Sequence, residues 1–229
     1  MNEISVLKKS ISIVLKIIVI VSVAVGVLLS AGAGKRSFMG GTFLFMYFTI
    51  QSNIAIAAVC IAGLCILLRK KTYGAVWYTV KLVMTVSITL TGVVFGFVLA
   101  PTLGKNAWSL QNILTHAVVP VVAVIDFFVV AGPVRLRMKS ALFVIIPPLL
   151  YAIYAGIGYI QNWEFSRGKN YPYFFLNWGS PAGAFGFTDG LPYMGSAWWI
   201  LALLIFLIAV GFGYIALANK ICKKSNVKE

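Results

Sequence analysis

Residues 41–68, GTFLFMYFTIQSNIAIAAVCIAGLCILL, run without a single charged side chain. About 20 such residues suffice for an α-helix to cross the hydrocarbon of a bilayer. Within this run sits a short polar interruption, Tyr47-Phe48-Thr49-Ile50-Gln51-Ser52-Asn53. A second interruption, Asn112-Ile113-Leu114-Thr115-His116-Ala117-Val118-Val119-Pro120, lies in another apolar stretch and contains the only histidine of the chain. Polar groups held in hydrocarbon are costly, so a cluster of them at membrane depth is a candidate functional site.

The apolar pattern repeats outward from these two stretches. Six spans are expected, at about 11–31, 41–68, 74–100, 109–131, 139–161 and 193–218. No alternation of period two is sustained, which excludes a membrane β-barrel. The expected fold is therefore all-α: one six-helix integral membrane domain over residues 1–229. Composition agrees. The chain is 61% hydrophobic and 10% charged, with a mean hydropathy of +0.96, whereas a soluble domain is about 45–50% apolar and about a quarter charged. Lys8 and Lys9 before an apolar run resemble a signal peptide, but Lys16 interrupts that run and further spans follow. An uncleaved first helix is expected.

The formal net charge is +14, from 19 Lys+Arg against 5 Asp+Glu. The basic residues cluster in short loops, with only Lys16 and Lys81 left within the spans; there they anchor helix ends to anionic headgroups and set topology, so nucleic acid is not an expected partner. One set of loops carries Lys8, Lys9, Arg69, Lys70, Lys71, Arg135, Arg137, Lys139, Lys220, Lys223, Lys224 and Lys228. The other carries only Lys35, Arg36, Lys105, Arg167 and Lys169. The positive-inside rule places both termini in the cytoplasm. The long connection at about 162–192 then lies outside. It is crowded with aromatics, from Trp163 to Phe187, and reads either as a lid on the outer surface or as an interfacial anchor.

Thr49 lies about eight residues into its span, roughly 12 Å deep, and His116 about seven into its own, roughly 10 Å deep. The two are level. Ser52 and Asn53 share a face with Thr49, and Asn112 shares one with His116. Pro120, four residues after His116, cannot bond the His116 carbonyl and is expected to kink the helix. Pro147-Pro148 is expected to distort span five in the same way. A neutral imidazole can deprotonate a threonine hydroxyl for nucleophilic attack, and Ser52, Asn53 and Asn112 are candidates to hold substrate or an oxyanion. Asp189 or Glu164 in the long loop are the available third members. The alternative is structural, since Thr, Asn and His often bond their own helix or glue helices together.

Deeper toward the other face, Lys81 and Asp126 are level and opposite in charge. They read as an intramembrane ion pair, with a proton-relay role for Asp126 as the alternative. No metal site is expected from one histidine without a ligand cluster, and no cofactor motif is present. Cys60, Cys65 and Cys222 match neither a metal spacing nor a disulfide framework.

Three motifs carry a resemblance: Tyr47 to Asn53, Leu114 to Pro120 with Asp126 after it, and Tyr171-Pro172-Tyr173-Phe174-Phe175-Leu176-Asn177. They resemble bacterial six-pass membrane proteins distantly related to the androgen-induced and androgen-dependent TFPI-regulating membrane proteins of animals. The animal members are threonine hydrolases of fatty acid esters of hydroxy fatty acids, using one intramembrane threonine and one histidine. The resemblance implies those roles for Thr49 and His116, a fatty acyl ester substrate, and a bacterial plasma membrane location. The rival expectation is a non-enzymatic lipid-binding or transport protein using the same cavity.

Overall fold

The structure, a computed structural model, describes residues 6–33, 39–69, 71–131 and 135–226. Lys35, Arg36, Lys70 and Lys228 of the loop-charge pattern lie outside the described residues. Six helices are long and apolar enough to cross a membrane: α1 (Val6–Gly32), α2 (Phe48–Leu68), α3 (Ala75–Leu103), α4 (Leu110–Val129), α5 (Met138–Ile160) and α6 (Ser196–Asn226). Among the described residues there is no strand, only two isolated bridges within 161–195. The protein is a multi-pass integral membrane protein by the length and composition of its helices.

Most ends fall within a few residues of expectation, and the exceptions have causes. Span two was expected from residue 41. Gly41–Met46 is instead a separate 3₁₀ turn, and the α-helix starts at Phe48 after an extended Tyr47. In α5, Met138–Ile145 is 3₁₀, and Pro147-Pro148 occupy the first turn of the α-helical part. That is where a missing N–H does no harm. Span six runs on to Asn226 because its basic tail continues the helix.

The sorting of side chains is the reverse of a soluble bundle. The buried stripe of α1 is Ser12, Lys16, Val19, Ser22, Val23, Gly26 and Ser30. Its large residues, such as Ile11, Val14, Ile17 and Val21, face outward. In hydrocarbon an outward leucine gains nothing by burial, so association rests on close packing of small residues and on interhelical polar bonds. Helix α1 packs on α2 and α4, and α3 packs on the same two from the other side. Helix α3 is the most buried of the six and α6 the least.

Gly63 shows what the close packing requires. A Cβ there would meet Lys16 Cε at 2.7 Å and Trp77 Cζ2 at 2.8 Å. Lacking one, α2 leaves room for Lys16 to reach across the bundle. Gly63→Ala is expected to lower stability by about 1–3 kcal/mol, because both neighbours are held and the site is overpacked. Gly213→Ala, where nothing lies within 4 Å, is expected to leave it unchanged or slightly raised. Thermal unfolding of the two variants in detergent checks the contrast, and equal melting points would show that the site relaxes freely.

Candidate functional site

The end of the bundle covered by residues 161–195 holds the first polar cluster. Helix α2 presents Thr49, Ser52 and Asn53 inward, all buried. The Thr49 carbonyl accepts from Ser52 Oγ at 3.0 Å and from Asn53 Nδ2 at 2.8 Å. Asn53 Nδ2 also donates to the carbonyl of Thr115 at 3.1 Å. Helices α2 and α4 are thus adjacent at this level, joined by one amide. Both Nδ2 hydrogens are committed, and Oδ1 has no partner among the described residues. Ser52 Oγ makes a second bond, to Thr91 Oγ1 of α3 at 2.8 Å. Asn112 Nδ2 donates to the carbonyl of Ala107 at 2.8 Å.

His116 lies in a π-helical turn, Leu114–Val118, just before Pro120. A π turn re-registers the backbone hydrogen bonds, which accommodates the N–H that Pro120 lacks. Helix α3 has its own π turn, Phe95–Leu99. The two meet where the Phe95 ring stacks on the imidazole, 3.7 Å between centroids at 25°. Such turns concentrate at functional sites. Close approach is possible because residue 92 is glycine: a Cβ would stand 3.0 Å from the His116 carbonyl oxygen and 3.1 Å from Pro120 Cβ.

The protonation pattern of His116 follows from its neighbours. Nδ1 lies 3.1 Å from the Asn112 carbonyl and 3.0 Å from Thr115 Oγ1. The carbonyl can only accept, and the Thr115 hydroxyl already donates to Gln111 O at 2.8 Å. Nδ1 therefore carries the proton, and Nε2 presents its lone pair. Nε2 is buried with no partner among the described residues. The orienting group is the Asn112 carbonyl. Neither Asp189 nor Glu164 plays that part: both are exposed, and Glu164 Oε1 accepts from Gly168 N.

Thr49 and His116 lie on adjacent helices joined through Asn53, but they are not hydrogen-bonded to each other, and the single cavity expected to hold both is not seen: they line separate hollows. The polar group that faces the Thr49 hydroxyl comes from the long connection. Tyr173 OH lies 3.5 Å from Thr49 Oγ1 and accepts from Thr49 N–H at 3.3 Å. Burial holds the Tyr173 phenol above its ordinary pKa, so it stays a neutral donor. This connection is neither only a lid nor only an anchor. Phe165, Tyr173, Phe175 and Leu176 are buried in the core, whereas Phe185 and Phe187 are 67% and 75% exposed. Sequence reasoning placed Tyr173 in a motif without giving it a role. Its signal was the density of aromatics in a loop.

Two hollows flank α3. The Thr49 side has a cavity of about 60 Å³ lined by Thr49, Thr91, Tyr151, Tyr173 and apolar residues of α3, α5 and α6, among them Leu90, Pro148 and Leu203. The His116 side has an open groove of about 570 Å³ between α3 and α4, lined by Gly92, Gly96, Trp108, His116, Pro120 and Val121 among others.

The second polar cluster lies toward the opposite end of the bundle. Asp126 of α4 is fully buried and accepts from Lys81 of α3 through Oδ2. It also accepts from Lys16 of α1, 2.8 Å to either oxygen, and from Ser12 Oγ. Lys16 had no assigned partner in the sequence. Its Nζ lies 5.7 Å from the Tyr73 ring centre, and Lys81 Nζ lies 5.2 Å from that of Trp77. Tyr73 and Trp77 are themselves stacked at 3.8 Å. Among the described residues no group of three or more His, Cys, Asp or Glu could hold a metal ion.

No protein-family model, characterised protein or solved structure matches this chain. The resemblance drawn from the sequence rests on its three motifs alone.

Two outcomes are expected. Asn53→Ala should lower stability by about 1–3 kcal/mol, because it leaves the buried carbonyl of Thr115 without its donor. An unchanged melting temperature would show that the bridge contributes nothing. Asp126→Asn should cost about 3–5 kcal/mol, since it strands buried ammonium groups. Expression and thermal unfolding in detergent measure both, and a wild-type melting curve for Asp126→Asn would contradict a structural role for the carboxylate.

Proposed function

We propose that this protein is an intramembrane hydrolase of lipid esters, with Thr49 as nucleophile and His116 as general base. One observation carries the reading: a hydroxyl on the wall of an apolar cavity and an imidazole with a bare Nε2 occupy one level of adjacent helices, tied by Asn53. The unequal loop charges support cytoplasmic termini and an outward-facing Thr49 end. The long hydropathic helices and the resemblance support a bacterial plasma membrane.

A cavity of about 60 Å³ admits a reacting ester group and a few waters, not a whole acyl chain. The chain must extend into the bilayer. The Ile146–Ile160 part of α5 and α6 both line the cavity and touch each other sparsely, while the 3₁₀ start of α5 packs closely on α6, which makes the gap between their outer parts the side entrance. Thr49 lines the cavity on one side of α3 and His116 the groove on the other, so His116 Nε2 takes the Thr49 proton through water once substrate entry joins the two hollows. Thr49 Oγ1 bonds to the acyl carbon, and the Tyr173 O–H donates to the oxyanion. Collapse breaks the bond to the alcohol, which receives the proton from the imidazolium. Water, activated by the same imidazole, then releases the fatty acid and restores Thr49.

A second reading, lipid binding or transport without covalent chemistry, is favoured by the lack of a direct Thr49–His116 bond. One experiment separates the two. Purified protein in detergent is assayed on fluorogenic acyl esters and labelled with a lipophilic fluorophosphonate. Thr49→Ala is expected to abolish turnover and labelling while keeping the fold, and Thr49→Ser to retain part of both. His116→Ala should lose about 10²–10⁴-fold in rate, and Tyr173→Phe about 10²-fold or more if its hydroxyl holds the oxyanion. Turnover should fall as pH drops through the histidine pKa, because an imidazolium accepts no proton. Turnover unchanged in Thr49→Ala ends the nucleophile assignment. Lipid bound without turnover or labelling establishes the second reading.

A further inference from the structure

The groove between α3 and α4 is separate from the Thr49 cavity and has the build of a second binding site. Its volume of about 570 Å³ falls in the range of small-molecule pockets, about 300–1,000 Å³. Along α4 it runs from His116 to Ile125, about 14 Å at 1.5 Å per residue. That is about half of a hydrocarbon core of about 30 Å, the depth of one leaflet. Its rim is exposed at Phe97, Val121 and Ile125. A Cβ at Gly96 would meet nothing within 4 Å, so the groove is open there.

No Lys, Arg, Asp or Glu lines the groove, and only Thr89, Trp108 and His116 bring a polar side-chain atom to it. The Thr89 hydroxyl is engaged: it donates to the Thr85 carbonyl at 2.8 Å and lies 3.1 Å from Tyr214 OH. Trp108 Nε1 can only donate. His116 Nε2 is therefore the one lining side-chain acceptor left without a partner among the described residues. Nδ1 is turned back to the Asn112 carbonyl, which leaves Nε2 at the free end of the ring. A buried acceptor without a donor is costly. Water alone is a poor remedy, because a buried water needs about two to four polar partners and the remaining walls are apolar, among them Val93, Ala117, Val121 and Val124. An O–H joined to a hydrocarbon chain meets both demands: it supplies the donor and fills the apolar length.

We propose that this groove binds a long-chain alcohol, a lipid whose uncharged hydroxyl head donates to His116 Nε2 and whose apolar chain runs along the groove toward Ile125. An anionic head is disfavoured, since Nε2 has no hydrogen to offer it and no cationic side chain lines the groove. A helix from a second copy is disfavoured by the glycines. Gly92 is taken up by α4, its Cβ position 3.0 Å from the His116 carbonyl oxygen and 3.1 Å from Pro120 Cβ. Only Gly96 is open, and one glycine makes no seam for a helix about 10 Å across. The inference is independent of the ester-hydrolysis reading, because it needs the groove and Nε2 but not Thr49.

The test is photolabelling of the full chain in lipid nanodiscs with hexadecanol carrying a mid-chain diazirine, followed by peptide mapping. Label is expected on α3 and α4 along the groove, and plain hexadecanol should displace it. Hexadecyl methyl ether has the chain but no O–H, and should compete roughly 3–10-fold less well, the worth of one hydrogen bond to a buried acceptor. His116→Phe keeps a ring for Phe95 to stack on and should bring the alcohol down to the level of the ether. Gly96→Leu fills the open part of the groove and should weaken both competitors alike. The wild-type comparison of alcohol and ether stands even where a variant fails to fold. Equal competition by the two in the wild type would overturn the proposal. So would label spread evenly over all the lipid-facing helices, or an alcohol preference that survives in folded His116→Phe. A wild-type dimer that Gly96→Leu abolishes, without displaceable label, assigns the groove to a second copy instead.

Discussion

The carboxylate of Asp126 is the contact on which the packing of this bundle depends. It lies on α4 and is gripped from α1 by Ser12 and Lys16 and from α3 by Lys81. Lipid offers neither water nor a hydrophobic gradient between helices. A charge placed there has to be satisfied by other helices, which fixes their order around it. The stacked Tyr73 and Trp77 rings cover the two ammonium ends, and Gly63 opens the passage for the longer reach. The polar interior and apolar exterior follow from the same rule: in hydrocarbon the groups that need partners are the ones that select neighbours.

At the other end of the bundle the same rule produces irregular backbone. Pro120 takes one N–H from α4, and the π turn around His116 absorbs the loss. The matching π turn of α3 swings Phe95 over the imidazole, and Gly92 brings the two backbones together. The π turns, the proline and the glycine form one device that holds a single histidine ring in a fixed tautomer. A helix-gluing histidine would not need it, because glue requires a bond at Nε2 as well. The unbonded Nε2 is the feature of this end that packing does not explain.

Six helices were legible in hydropathy alone, because a span needs only length and the absence of charge. The Lys81–Asp126 proximity was legible from matching depth, since both lie a few residues from the same end of their helices. Lys16 was not assigned. In sequence it reads as an interruption of α1, and only the adjacency of α1 and α4 gives it a partner. Thr49 and His116 were placed at one level by counting residues, but counting cannot rotate a helix about its axis, and that rotation separates a shared level from a hydrogen bond. Tyr173 was hidden for another reason. Loop composition shows that aromatics are there, not which of them turn into the core and which, like Phe187, turn out.

The two halves of the connection at 161–195 constrain how a lipid could reach Thr49. Tyr173, Phe175 and Leu176 are walls of the cavity as much as α3 is. They close it from the membrane surface with buried apolar contacts and with the Tyr173 hydroxyl against Thr49. Lifting that segment would expose those rings and break the bond at once. Parting only the Ile146–Ile160 part of α5 from α6 disturbs far less, because α6 is the least buried helix and its contact with that part is sparse, while Met138–Ile145 keeps the two helices together at the other end. Under the proposed ester hydrolysis, a substrate would arrive from the bilayer, chain last, with its polar end leading toward Thr49. The exposed Phe185 and Phe187 stay outside that path, at the end of the bundle where aromatic rings settle among headgroups.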